Sequence, residues 1–119
     1  MGISRARQLG ANTVAVVSSG NVACAAAAYG ARASMRVVLL FHQHAASDKL
    51  AQAAAYGGRT FRVQSASAKA VFELCAEACR RLGWYHLSTA GMYEPFNVDG
   101  AKTIAYELYQ ETQGDLPDW

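Results

Sequence analysis

Apolar and polar positions alternate in blocks along this chain rather than residue by residue. Residues 36–41 form a continuous apolar run after Arg36, the pattern of a strand covered on both faces. Residues 13–17 form a second, β-branched run, and shorter runs at 60–63 and 84–87 predict two further strands. Between them the spacing becomes helical. Helices are expected over residues 3–9, 22–33, 49–56 and 68–82, with a loop over 88–99 and a last helix over 100–111. The boundary residues agree. Gly10 closes the first helix, Ser47 or Asp48 offers an N-cap for 49–56, and Gly57-Gly58 ends that helix. Ser67 would cap 68–82 and Gly83 would stop it, whereas Pro95 and Pro117 are placed outside regular elements. Short connections between repeated strand–helix units imply an α/β fold: three layers, αβα, around a four-stranded parallel sheet.

Composition narrows the class without naming a function. The chain has 119 residues, enough for one domain with a real core, and 52% of them are hydrophobic against 17% charged. That balance excludes general disorder. The net charge of +2, with scattered arginines, points to neither nucleic acid nor a membrane surface as partner. No apolar run reaches a membrane-spanning length, and Met1-Gly2-Ile3-Ser4-Arg5 does not read as a signal peptide. Three cysteines, Cys24, Cys75 and Cys79, form no disulfide framework and fit a reducing cytoplasm. Cys75 and Cys79 share a helix face and read as small buried hydrophobes. Tyr29, Tyr56, Tyr106 and Tyr109 recur at helical spacings and read as packing residues.

Candidate chemistry gathers where the first strand ends. Val14-Ala15-Val16-Val17 runs into Ser18-Ser19-Gly20-Asn21-Val22, and an alanine-rich helix follows at once. Ligands of open α/β sheets sit at the carboxyl ends of strands. The first turn of a helix also has unpaired N–H groups and the positive end of the dipole, so an anion is favoured there. Gly20 would allow a tight turn and a close backbone approach. The bare helix face over residues 23–28 would let the helix sit close to the sheet and hold its N-terminus firmly. His42 and His44 in the loop after the second strand could take a metal, but nothing beyond Asp48 would complete a site, and they read as incidental loop histidines. No metal site and no phosphate-loop glycine pattern is found.

Three separated stretches also carry a resemblance. The run from Val16 through Ser18-Ser19-Gly20-Asn21 to Ala33 is similar to the Ser/Thr-Ser/Thr-Gly-Asn loop and helix of pyridoxal-phosphate enzymes of the tryptophan-synthase-β type, fold-type II. Residues 49–63 resemble the threonine-synthase segment Lys-x-Ala-Gln-Ala-x-x-Tyr-Gly-Ala and the strand after it. Residues 94–107, from Glu94-Pro95-Phe96-Asn97 through Gly100-Ala101-Lys102-Thr103, resemble Asn-Pro-x-Arg-x-x-Gly-x-Lys-Thr-x-Ala-x-Glu. The matches occur in the family's order and span nearly the whole chain. The resemblance implies a flavodoxin- or Rossmann-like small domain, and the analogy favours the strand order 2-1-3-4. It further implies that Asn21 contacts the phenolic oxygen of the cofactor ring. Ser18, Ser19, Gly20 and Val22, through side chains and the N–H groups of residues 21 and 22, would hold the substrate carboxylate. Val22 stands where a threonine is often found. Glu94-Pro95-Phe96-Asn97 also departs from the family, whose arginine grips a substrate phosphate; a carboxylate facing that phosphate would repel it.

Within these 119 residues the family's Ser-x-Lys-Asp-Arg motif, whose lysine carries the cofactor, does not occur, nor does its glycine-rich phosphate loop. Lys49, Lys69 and Lys102 are the only lysines, Lys102 being nearest in type to a functional position, and none is expected to carry the cofactor covalently. The chain over residues 1–119 is therefore read as one domain. It is equivalent to the small, substrate-carboxylate-binding domain of a threonine-synthase-like lyase, with no catalytic residue of its own and little or no activity alone. Two alternatives remain. One is a stand-alone binding or assembly protein with an amino-acid or carboxylate ligand, self-associating as a homodimer or larger through Val98, Ile104, Leu108 and Trp119. The other is the small domain of an amino-acid dehydratase or ammonia-lyase.

Overall fold

Residues 1–44, 48–65 and 67–116 are described in a computed structural model of the chain. In order they form α1 (Gly2–Gln8), β1 (Thr13–Val17), α2 (Asn21–Arg32), β2 (Arg36–His42) and α3 (Asp48–Ala55), then β3 (Arg59–Val63), α4 (Ala68–Leu82), β4 (Tyr85–His86), α5 (Pro95–Ala101) and α6 (Thr103–Glu111). The four strands make one sheet, every pair parallel. Alternation along β1 and β2 divides the core between its two faces. Val14, Val16, Val37 and Leu39 meet Ala23, Ala26 and Ala27 of α2, with Ala6 of α1 and Ala53 of α3 in the same cluster. Ala15, Val38 and Leu40 meet Val71, Cys75 and Cys79 of α4 on the opposite face. The three-layer αβα arrangement is as the sequence implies, and Cys75 and Cys79 are small buried hydrophobes within it.

The strand order is β3-β2-β1-β4, which corrects the 2-1-3-4 order. Residues of β3 pair with β2, Leu40 opposite Phe61, and β3 is an edge. The physical reason lies in Arg59 and Arg62. An interior strand would have to bury both guanidinium groups, whereas an edge strand uses such charges to discourage further pairing. Most of β3 is exposed, and Arg62 reaches back to donate to the Gln43 carbonyl at 2.8 Å. From β1 the chain steps through α2 and α3 to β3 along one face. It then returns through α4 on the other face to place β4 beside β1. That reversal keeps each crossover right-handed and creates a switch point between β1 and β4.

The caps at Ser67 and Gly83 form as the sequence predicts. Ser67 Oγ accepts from the Ala70 N–H at 3.3 Å, and Gly83 takes the left-handed conformation (φ 66°) that stops α4. For α3, the Ser47 alternative lies outside the described residues, as do Pro117 and Trp119. The segment after β4 departs from expectation. Residues 95–101 are helical rather than part of a loop, with Pro95 in the first turn of α5 and Glu94 as its N-cap. The helix expected over residues 100–111 is two pieces, broken at Lys102. The four tyrosines also depart from their reading: Tyr29, Tyr56, Tyr106 and Tyr109 are all exposed. Among the described residues no helix is long and apolar enough to cross a membrane.

Candidate functional site

The switch point sets the carboxyl ends of β1 and β4 side by side, so the loops after them share one crevice. The first loop begins as an extension of the ladder, the Ser18 N–H donating to the Leu40 carbonyl at 3.1 Å. Ser18 Oγ then accepts from the Gly20 N–H at 3.3 Å, which turns the chain toward α2. Gly20 has φ −116°, so this turn needs no left-handed residue; a Cβ built there meets no atom within 4 Å and would project into open space. Asn21 opens α2, and the first cap-to-helix bond runs from the Cys24 N–H to the Gly20 carbonyl at 3.3 Å. The N–H groups of Asn21, Val22 and Ala23 are left without helical acceptors at the positive end of the dipole. Behind them Ala23, Ala26 and Ala27 are almost fully buried against the sheet, so the loop stands on a firmly seated helix.

The structure thus brings Ser18, Ser19, Gly20, Asn21 and Val22 together at the crevice edge. It adds a residue that sequence spacing could not place there. Lys49, the second residue of α3, donates through Nζ to the Asn21 side-chain oxygen. Its carbonyl accepts from Cys24 Sγ at 3.2 Å.

Across the crevice, Glu94 does not face a ligand. It is 2% exposed, accepts from the Tyr85 hydroxyl at 2.7 Å through Oε1 and caps the Asn97 N–H at 2.8 Å through Oε2. The expected repulsion of a substrate phosphate by Glu94 is therefore corrected: its carboxylate is spent within the fold. Burial, and then the Glu94 carboxylate, push the Tyr85 phenol well above its usual range. Asn97 donates to the Ser88 carbonyl at 3.2 Å. With Val22 and Leu87 it also lines a cavity of about 540 Å³ whose walls come mainly from α1 and α2 (Ile3, Arg7, Ala25, Tyr29), and Ser18, Ser19, Gly20 and Asn21 do not line it. His42 is the last residue of β2 rather than part of the loop after it, where His44 lies, and both are locally engaged. His42 Nε2 is 3.0 Å from the Ser65 carbonyl, and its Nδ1 is 3.4 Å from the His44 N–H.

Comparison with known proteins fits this geometry. Residues 2–119 match the family described as pyridoxal-phosphate dependent enzyme. The chain belongs to this family. Threonine synthase of Synechocystis sp. is 33% identical over the whole chain, and threonine synthase of Methanocaldococcus jannaschii is 33% identical over 99% of it. The chain spans under a third of these relatives, 30% and 28% of their lengths. Among solved structures, a pyridoxal 5′-phosphate-dependent aspartate racemase superposes with TM-score 0.74 at 28% identity, covering 96% of this chain and 34% of that one. Cysteine synthase of Entamoeba histolytica shares the fold alone: TM-score 0.75 at 16% identity, over 96% of this chain and 35% of that one.

The residues present fit one edge of the family's cofactor. The N–H groups of residues 21–23, without acceptors among the described residues, an amide and open space at Gly20 suit an anionic carboxylate and a ring oxygen. Lys69 pairs with Glu73 and Lys102 with Asp99 on exposed helix surfaces, and Lys49 is spent on Asn21.

Proposed function

We propose that this chain is the small domain of a threonine-synthase-like pyridoxal-phosphate lyase, and that residues 18–22 hold the amino-acid carboxylate and the cofactor ring. The observation that carries this is the set of N–H groups of residues 21–23, without acceptors among the described residues, at the β1/β4 switch point beside the Asn21 amide. The N–H groups bind and orient a carboxylate, with the Ser18 and Ser19 hydroxyls beside them; the Asn21 amide donates to a phenolic oxygen. When bound, the cofactor draws electrons from the substrate α-carbon so that its proton can leave. In this reading the chain contributes recognition and orientation, and it has little or no activity alone.

A second reading concerns the substrate. Asn97 occupies the position matching the family's phosphate-gripping arginine and is already committed to the Ser88 carbonyl, so no guanidinium stands there for a bidentate contact. This favours an amino acid without a phosphate, in a dehydratase or ammonia-lyase. The stand-alone assembly alternative draws on the exposure of Val98, Ile104 and Leu108.

The test is incubation with pyridoxal phosphate, borohydride reduction and intact-mass and peptide mapping, alongside NMR titration with an amino acid. The expected result is no stoichiometric lysine adduct, with amino-acid-induced shifts confined to residues 18–22. A single complete adduct on Lys49 or Lys102 would mean that the chain carries the cofactor itself. An amino acid that leaves residues 18–22 unmoved would overturn the carboxylate site.

A further inference from the structure

Asn21 and Lys49 lie 28 positions apart, yet their side chains meet at the mouth of the crevice. The parallel sheet causes this. Because β1 and β2 are adjacent and parallel, the helices that follow them start at the same end of the sheet, and α2 and α3 pack side by side. Cys24 Sγ pins the backbone at Lys49 one turn along α2, so the lysine reaches Asn21 from a fixed origin.

Stability of the helices does not account for a cation in this place. Lys49 is in the first turn of α3 and its ammonium touches the first residue of α2, so it faces the positive ends of two helix dipoles. An ammonium has three donors and no acceptor, and a carboxamide has a donating and an accepting end. Contact between them therefore decides which way the amide turns. Its oxygen faces Lys49, and its NH2 group has no protein acceptor among the described residues.

We infer that Lys49 is a positioning residue for Asn21: it commits the carboxamide oxygen to its ammonium and leaves the NH2 as a donor toward the crevice. This rests on the reading of residues 18–22 as the carboxylate and ring-oxygen site, and it specifies how the donor needed by a phenolic oxygen is kept from flipping. Without Lys49, the amide could equally offer its oxygen, which would repel a phenolate. The substituent that matters is a cationic donor of the right reach, so arginine should serve where methionine fails.

The experiment is side-chain NMR on the full chain, comparing wild type with Lys49→Arg, Lys49→Met and Lys49→Glu. In wild type the Asn21 NH2 should show a heteronuclear NOE close to that of the backbone, and the Lys49 ammonium should be more ordered than those of Lys69 and Lys102. Lys49→Met should lower the Asn21 NOE, and Lys49→Arg should restore it. Lys49→Glu, a soluble control should the methionine variant misfold, should shift the NH2 resonances because a carboxylate accepts from them. Pyridoxine 5′-phosphate, which has the phenolic oxygen but no aldehyde, is then titrated in. It should move the Asn21 NH2 signals in wild type, and binding should weaken about tenfold in Lys49→Met with recovery in Lys49→Arg. An Asn21 NOE unchanged between wild type and Lys49→Met overturns the positioning role. A tethered amide that the probe leaves unmoved supports the hold of Lys49 on Asn21 and instead overturns the ring-oxygen reading.

Discussion

A carboxylate that is 2% exposed needs a partner for each oxygen, and Glu94 finds them on two different elements. The Tyr85 hydroxyl ties it to β4 and the Asn97 N–H ties it to α5, so one side chain fastens the post-β4 segment to the sheet. Arg5 of α1 lies over the Phe96 ring at 4.5 Å and adds a second fastening. Glu94→Ala removes the cap and leaves the Tyr85 hydroxyl without its acceptor, so urea unfolding should show a loss of about 2–3 kcal/mol. Glu94→Gln, which keeps an acceptor, should lose less. His86 supplies a separate test. It sits 4.9 Å from Tyr93, its Nε2 is buried without a partner among the described residues, and burial holds its pKa below the ordinary 6.5. As pH falls the unfolded chain therefore takes up this proton first. Stability from His86 is complete above about pH 6.5, declines below it and levels off once the folded-state pKa is passed. The melting temperature should drop as pH falls below about 6.5, and the drop should shrink in His86→Phe, whose ring can still stack on Tyr93.

At the scale of elements, the firmness of the site depends on how closely α2 lies on β2. Gly30 makes that approach possible: a Cβ there would stand 2.2 Å from Cγ2 of Val37, a stiff β-branched side chain that is 4% exposed. Gly30→Ala gains helix propensity worth about 1 kcal/mol. The clash should outweigh it, giving a net loss of about 1–2 kcal/mol in denaturant unfolding, with chemical shifts changing at Asn21 and Val22 as the helix lifts. A stabilised variant would mean that α2 is not tightly seated. Much of this level was legible in the residues themselves. The β1 bounds, the α4 bounds and the caps at Ser67 and Gly83 follow from local pattern and turn chemistry. What escaped was whatever depends on neighbours far apart in sequence. Elements can be read from periodicity, but strand order cannot, and the one available signal was the pair Arg59 and Arg62, which suit an edge. Pro95 was a second unread signal, since a proline at a first helical turn starts a helix rather than interrupting one. The Lys49–Asn21 pair and the burial of Glu94 arise only once the sheet has brought α2 to α3 and α5 to β4.

The whole molecule exposes more surface than its size warrants. Its accessible area is 7884 Å², roughly a quarter above the ~6,200 Å² expected of a folded monomer of this mass. A radius of gyration of 15.5 Å likewise exceeds the ~13.5 Å of a compact domain of this length. The excess has a location. Helix α6 has no buried residue, and Ile104 (62% exposed) and Leu108 (50%) lie four apart on it, with Val98 exposed on α5. An apolar helix face left in water favours association, whether its natural cover is the remainder of a longer enzyme or a second copy of this chain. Either cover gives the same expectation for the 119-residue chain alone. Sedimentation equilibrium should show concentration-dependent dimers or larger species. Replacing Ile104 and Leu108 with lysine should shift the population to monomer without loss of melting temperature, because neither side chain contributes to the core. A wild-type chain that stays monomeric at about 100 µM would count against the association, since specific contacts at ordinary interface sizes reach micromolar affinity or better. An amino-acid titration repeated on the lysine variant then separates the two roles of the molecule. The crevice at residues 18–22 and the face of α6 belong to different elements, so carboxylate binding should survive the loss of self-association.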